Sequence, residues 1–254
     1  MSVRYSPIAP LIILEQLQGQ KLLGNYLLLL AHEVLKSPRG YIDLVEHMEN
    51  TEENPRFIIM DNGVIERGSP VTAVELLEAA NFAEADCIVT PDVIGDAPAT
   101  RKLVMDQGSV IGREFPLMRI PQGACITDLF DCVDWLNESL PAHGSDPSYW
   151  GVPRWIANEM STRANVINYI NHECPKAKIH LLGMSKSLKD DQRCLRKPNV
   201  IGIDSANPIV MGIAGMEMRR GAWQHLDRGN LWDCQVLHPE SADNVEFMHN
   251  ALRS

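Results

Sequence analysis

Apolar runs of strand length recur along this chain, and one after another they finish in an acid, an amide or a glycine. "FIIMDNG" ends in Asp61, "CIVTPDVIGD" in Asp92, "FPLMRIPQG" in Gln122, "KIHLLGM" in Gly183 and "VIGIDSANP" in Asp204. Taken singly, Asp204 reads as the cap of the helix that "SANP" would start, because aspartate accepts hydrogen bonds from free helix amides. Five similar endings read instead as the rim of one mouth.

Amphipathic segments separate these runs: "PVTAVELLEAANFAEA", "APATRKLVMDQGSVI", "ITDLFDCVDWLNESL", "STRANVINYINHE" and "ANPIVMGIAGMEMRR". The predicted strands are Leu22–Leu30, Phe57–Asp61, Cys87–Asp92, Phe115–Ile120, Tyr149–Pro153, Lys178–Leu182 and Val200–Asp204, with Gln235–Leu237 as a weak eighth. Strands alternating with helices from end to end mean parallel strands joined by crossover helices. Seven or eight such units predict a (β/α)8 TIM barrel, with an open doubly wound sheet as the alternative. No Gly-x-Gly-x-x-Gly loop follows the first strand, which favours the barrel. No low-complexity linker interrupts the alternation, and 254 residues with 45% hydrophobic content suit a single domain over 1–254.

Several classes of protein are disfavoured. The longest apolar stretch, "LLGNYLLLLAHEVL", is broken by Asn25, His32 and Glu33, and the N-terminus has no leader pattern, so a soluble cytoplasmic protein is expected. The cysteines Cys87, Cys125, Cys132, Cys174, Cys194 and Cys234 are scattered without a C-x-x-C pair, so reduced thiols and no metal site are expected. A net charge of −10 argues against indiscriminate polyanion binding. Lys176, Lys178, Lys186, Lys189, Arg193, Arg196 and Lys197 nevertheless cluster in sequence, and Arg219, Arg220 and Arg228 follow. These read either as solvated helix surface or as a rim for phosphates.

Strand alternation tests the mouth. If Asp204 points inward, so does Gly202; the matching inward sets are Asp61 with Ile59, Asp92 with Thr90, and Gln122 with Ile120. Three inward carboxylates suit nucleophilic or acid/base work at a carbon that gains positive charge, such as an anomeric carbon. Gln122 suits the hydrogen-bonding edge of a planar ring, and Gly183 suits close approach of a backbone amide to a ring carbonyl.

In this order and placement, the motifs between about Phe57 and Pro208 resemble the tRNA-guanine transglycosylase superfamily, and within it the short phage-type DNA branch, the DpdA-like proteins that insert 7-deazaguanines into DNA. The resemblance implies that Asp204 in "IGIDS" is the nucleophile and that Asp61 in "MDNGV" handles the proton on the base. It implies that Asp92 in "TPDVIGD" reads the base's amine and ring nitrogen, that Gln122 and Gly123 contact its carbonyl, and that Gly183 matches part of a glycine-rich base-binding element. It further implies DNA and a 7-deazaguanine base (preQ0 or preQ1 type) as partners, no cofactor, and the host cytoplasm if the gene is carried by a phage. The chain departs from the pattern at Val64, where a second glycine is usual, and at Leu182. It also lacks the zinc module of the tRNA enzymes, since Cys234 and His238 stand alone. The remaining functional expectations are a tRNA-guanine transglycosylase, a barrel N-glycoside hydrolase, or a noncatalytic nucleic-acid-binding subunit.

Other residues have two readings each. Glu66 and Asp96 support the strand-end acids or are solvated loop and helix-start residues; Arg154 contacts phosphate or caps a helix. Alternation counted back from Gly183 places His180 under a helix. Trp150 and Trp155 are read as core, with stacking on a nucleobase as the alternative.

Overall fold

The structure, a computed structural model, describes residues 3–140, 148–156, 163–186, 188–218, 226, 229 and 231–253. Eight parallel strands, in the order β1-β8-β7-β6-β5-β4-β3-β2, form a nearly closed barrel with helices alternating along the chain, which is the expected (β/α)8 TIM barrel. The strands are β1 (Arg4–Pro7), β2 (Tyr26–Leu30), β3 (Phe57–Asp61), β4 (Cys87–Val89), β5 (Leu117–Arg119), β6 (Tyr149–Pro153), β7 (Lys178–Leu182) and β8 (Val200–Ser205). The described helices are α1 (Leu11–Gly19), α2 (Ala31–Lys36), α3 (Pro38–Glu46), α4 (Val64–Arg67), α5 (Ala73–Phe82), α6 (Ala97–Leu103), α7 (Ser109–Ile111), α8 (Ile126–Ser139), α9 (Arg163–Glu173), α10 (Leu188–Leu195), α11 (Asn207–Ile213) and α12 (Pro239–Arg253).

Local chemistry accounts for these elements. Strand β2 is "YLLLL" with all five residues buried, as a barrel strand covered on both faces must be. Helix α5 begins where Thr72 and Glu75 satisfy each other's backbone amides in a capping box. Helix α8 buries Leu129, Cys132, Val133 and Leu136, one helical stripe, against the barrel wall. All six cysteines are free, and no described helix is long and apolar enough to cross a membrane.

One predicted strand is wrong. Gln235–Leu237 forms no strand; it is held to α1 by Gln16, whose side chain donates to Gln235 O and accepts from Leu237 N. The eighth strand is Arg4–Pro7, which pairs with β8 in the register Ser6↔Asp204. "RYSP" carries no apolar run because Arg4 and Ser6 face partners within the barrel: the Arg4 guanidinium lies 4.4 Å from the Tyr26 ring centroid, and the Ser6 hydroxyl accepts from Leu28 N at 2.7 Å. The predicted strand Leu22–Leu30 begins late, at Tyr26, because Lys21 and Gly24 adopt left-handed backbone that a strand excludes.

The ring has a seam. No backbone ladder joins β1 to β2, and the Ser6–Leu28 bond bridges them from inside. From outside, His249 of α12 packs edge-on against Tyr5 of β1 and hydrogen-bonds Leu22 O just before β2.

Candidate active site

The C-terminal ends of the strands surround a cavity of about 290 Å³, at the lower end of the range of about 300–1,000 Å³ usual for small-molecule sites. Asp61, Asp92, Gln122, Arg154, Gly183 and Asp204 all line it. Gly123 does not. A Cβ there would fall 2.6 Å from Asp128 Cβ and 2.8 Å from Leu129 N, so this glycine lets α8 pack closely. Lys186 and Lys189 are exposed beyond β7, outside the cavity. Arg219, Arg220 and Arg228 lie outside the described residues.

On one flank, the ends of β3, β4 and β5 build a braced carboxylate. Asp92 accepts from Asn62 Nδ2 on Oδ1 at 2.9 Å and from Gln122 Nε2 on Oδ2 at 2.5 Å. The Gln122 amide is itself oriented, because its Oε1 accepts from Trp155 Nε1 and from Gly95 N, both at 3.0 Å. Burial pushes the Asp92 carboxyl up to about 6, with the two amide donors opposing the shift. Trp155 is therefore part of the cavity wall and not core, whereas Trp150 is fully buried. Asp96 is the plain helix cap, accepting from Ala99 N at the start of α6.

On the opposite flank, Asp204 sits at the end of β8, 7% exposed. Its Oδ1 accepts from Gly183 N at 2.9 Å and pairs with His180 Nε2 at 2.9 Å. It does not cap α11, whose N-cap is Ala206 without a side-chain bond. Gly183 has φ +73°, a left-handed backbone that turns its amide onto the carboxylate, so this N–H serves Asp204 and not a ring carbonyl. The same turn breaks strand alternation. His180 consequently lies inside the barrel and not under a helix, with Tyr26 Oη 2.7 Å from its Nδ1.

Beneath the Gly183 turn, the fully buried Arg163 donates to Val152 O, Leu182 O and Gly183 O. It also pairs with the buried Asp191 at 3.1 Å. One guanidinium thus ties the ends of β6 and β7 to α10 and fixes the peptide that holds Asp204.

Between the flanks stands Asp61, whose Oδ2 accepts from Gly63 N at 3.2 Å. Although it keeps some contact with solvent, burial first, then repulsion from Glu66 and Asp92, raises its carboxyl well above the ordinary range against the Gly63 bond. Glu66 lines the cavity as well, so it belongs with the strand-end acids and not with solvated loop residues.

No protein-family model and no curated protein matches this sequence. Its chemistry rests on the residues themselves. Asp204, Asp61 and Asp92 face one cavity in different surroundings: the first is oriented by N–H donors on Oδ1, the second has its proton affinity raised by burial, and the third is cross-braced as an acceptor. Such a set can attack a carbon, move a proton, and accept hydrogen bonds from a flat polar ligand. Among the described residues, His, Cys, Asp and Glu do not gather into a group suited to a metal ion.

Sequence reasoning missed His180, Tyr26, Asn62 and Arg163. Arg163 carried a legible signal, for it occupies a core-stripe position with Val166, Ile167 and Ile170 at helical spacing, all buried. A charged residue in such a stripe requires buried partners.

Proposed function

We propose that this chain is a guanine transglycosylase that exchanges guanine in DNA for a 7-deazaguanine base through a covalent glycosyl-aspartate. The observation that carries the reading is the pairing, across one cavity, of a carboxylate oriented by N–H donors on Oδ1 with an acid whose proton affinity burial raises and a braced acceptor beside it. Asp204 Oδ2 attacks C1′ as the C1′–N9 bond breaks, and Asp61 gives its proton to the departing base. The incoming base returns that proton to Asp61, its N9 attacks C1′, and the aspartyl ester opens to restore Asp204. One glycosidic bond replaces another, so the exchange needs no oxidant, reductant or energy source.

Asp92 and Gln122 suit the guanine edge. The Asp92 oxygens retain capacity to accept from ring N–H and exocyclic amine, while the Gln122 amide carries a second hydrogen for the ring carbonyl. The cavity takes one base, so the target nucleotide must leave its stack. Lys186 and Lys189 near the mouth suit backbone phosphates, a sequence-independent and salt-sensitive contact.

The test is incubation of the protein with DNA or tRNA, with and without preQ0 or preQ1, followed by mass spectrometry of the nucleosides. Deazaguanine in DNA, and an adduct resistant to denaturation that Asp204→Asn abolishes together with at least about 10³-fold of the exchange rate, is the expected result. Guanine release without added base would indicate a hydrolase, incorporation into tRNA alone would move the substrate to RNA, and unimpaired exchange by Asp204→Asn would overturn the nucleophile.

A further inference from the structure

We propose that His180, backed by Tyr26, is the positioning residue that sets the lifetime of the Asp204 intermediate, a role that rests on the transglycosylase reading above. TIM-barrel interiors are normally filled by branched apolar side chains. Here a histidine with no exposed surface and a tyrosine 1% exposed occupy that space and bridge three strands: β2 through Tyr26, β7 through His180 and β8 through Asp204.

The backbone is arranged for this bridge. An irregularity between β7 and β8 sets His180 opposite Gly202, two residues before Asp204 on the same strand. A Cβ at residue 202 would fall 2.4–2.6 Å from Cε1, Cζ and Oη of Tyr26. Gly202 is therefore the gap through which the phenol reaches the histidine. The Tyr26 ring is clamped in turn by Phe57, stacked at 5.8 Å, and by the Arg4 guanidinium.

Hydrogen-bond logic assigns the protons. Asp204 Oδ1 already accepts from Gly183 N, so it is an acceptor towards the imidazole as well, and His180 Nε2 carries a hydrogen. In the neutral ring Nδ1 then accepts, and Tyr26 donates to it. Burial pushes the Tyr26 phenol well above its ordinary value, which keeps that donor intact.

The consequence differs between the two half-reactions. When Asp204 Oδ2 is esterified to C1′, Oδ1 becomes an ester carbonyl, a weaker acceptor than a carboxylate oxygen. When the incoming base displaces the aspartate, negative charge returns to Oδ1, and the His180 N–H stabilises the departing carboxylate. Gly183 N still orients Oδ1 when His180 is removed. Loss of the imidazole therefore falls mainly on opening of the ester.

The experiment resolves the two steps in the full-length protein: formation of the polynucleotide adduct, then its disappearance after a chase with 7-deazaguanine. His180→Phe should slow the second step about 10- to 100-fold, the effect of one lost hydrogen bond to a charged group. It should leave adduct formation within a few-fold and base affinity unchanged. His180→Gln, which restores an N–H donor, should recover most of the loss, and Tyr26→Phe should slow the same step a few-fold. Thermal unfolding of each variant separates folding defects from these effects. Adduct opening at the wild-type rate in a folded His180→Phe, or equal slowing of both steps, would overturn the assignment. Absence of any wild-type adduct or exchange would instead sink the transglycosylase reading. Nitrogen-15 spectra of His180 test the bridge without activity: the expected signature is an Nε2–H tautomer, with the Nε2 proton signal shifted in Asp204→Asn and the Nδ1 signal shifted in Tyr26→Phe. An Nδ1–H tautomer would overturn it.

Discussion

The carboxylate on the β4 side of the mouth is gripped by side-chain amides, whereas the one on the β8 side is met by a backbone amide and an imidazole. Asp92 is held by two side-chain amides, one of them oriented by Trp155 and Gly95. Asp204 takes a backbone amide and an imidazole on Oδ1. Two-sided bracing produces a fixed recognition surface that accepts further hydrogen bonds without moving. In the transglycosylase reading, the N–H donors on Oδ1 orient a group whose Oδ2 must form and break a bond. The proposed function thus divides binding and chemistry between opposite walls of the barrel, and each should fail in its own way.

The largest effect separates the walls directly. Asp92→Asn places an amide donor against the Asn62 and Gln122 donors and removes an acceptor for the base, so deazaguanine affinity should fall about 100-fold by calorimetry. Asp204→Asn should bind the base almost normally. Equal loss of affinity in both would break the division.

A second test uses pH. The folded-state value of Asp92 is raised to about 6, so the native protein binds its proton more tightly than the unfolded chain does. The contribution is fully present below the unfolded value near 4 and is lost as pH rises through about 6. Chemical unfolding between pH 4 and pH 7 should show this decline, and Asp92→Asn should reduce its slope. An unchanged slope would mean that other acids, Asp61 first, carry it.

Much of the β4 wall was legible in the sequence, because a strand end places its last inward side chain in the mouth by simple alternation. Asp61 and Gln122 were found that way, but Asp92 reaches the mouth against it. Strand β4 ends at Val89, which itself lines the cavity, and registers Cys87 beside the inward Ile59, so the expected inward pairing of Asp92 with Thr90 is wrong and the chain beyond the strand carries Asp92 in. The β8 wall was only half legible. Asp204 followed the same rule, but Gly183 leaves the strand with a positive φ, so counting backwards from it put His180 on the wrong face. Strand β1 was invisible because its partners within the barrel are Arg4 and Ser6, which spoil an apolar pattern. Gly123 looked like a ligand-binding residue beside Gln122, yet its role is set by α8, whose distance from the loop no local pattern encodes.

Two smaller perturbations sharpen the comparison. Trp155→Phe removes the indole donor that orients Gln122, so base affinity should drop about 3- to 10-fold while the rate of ester opening is unaffected. Glu66→Gln removes the like charge that repels Asp61 most, so the Asp61 carboxyl should lose its proton at lower pH. In a pH–rate profile, the alkaline limb that reports protonated Asp61 should move to lower pH, with little change in the maximal rate. A shift to higher pH would remove Glu66 from the electrostatics of the proton donor.

The seam between β1 and β2 bears on how the protein is made. Strand β1 is synthesised before β8, yet β8 is its hydrogen-bonding neighbour, and Tyr5 donates to Ser205 O across 200 positions of sequence. Contacts of such separation are slow to form. Until β8 arrives, β1 has no ladder to join, for its other side meets β2 through a serine hydroxyl and the outer clasp comes from His249 of α12. A chain that lacks β8 can therefore build only an open sheet in which β1 has no ladder partner. The wall that bears Asp204 is completed only when the two ends of the barrel meet.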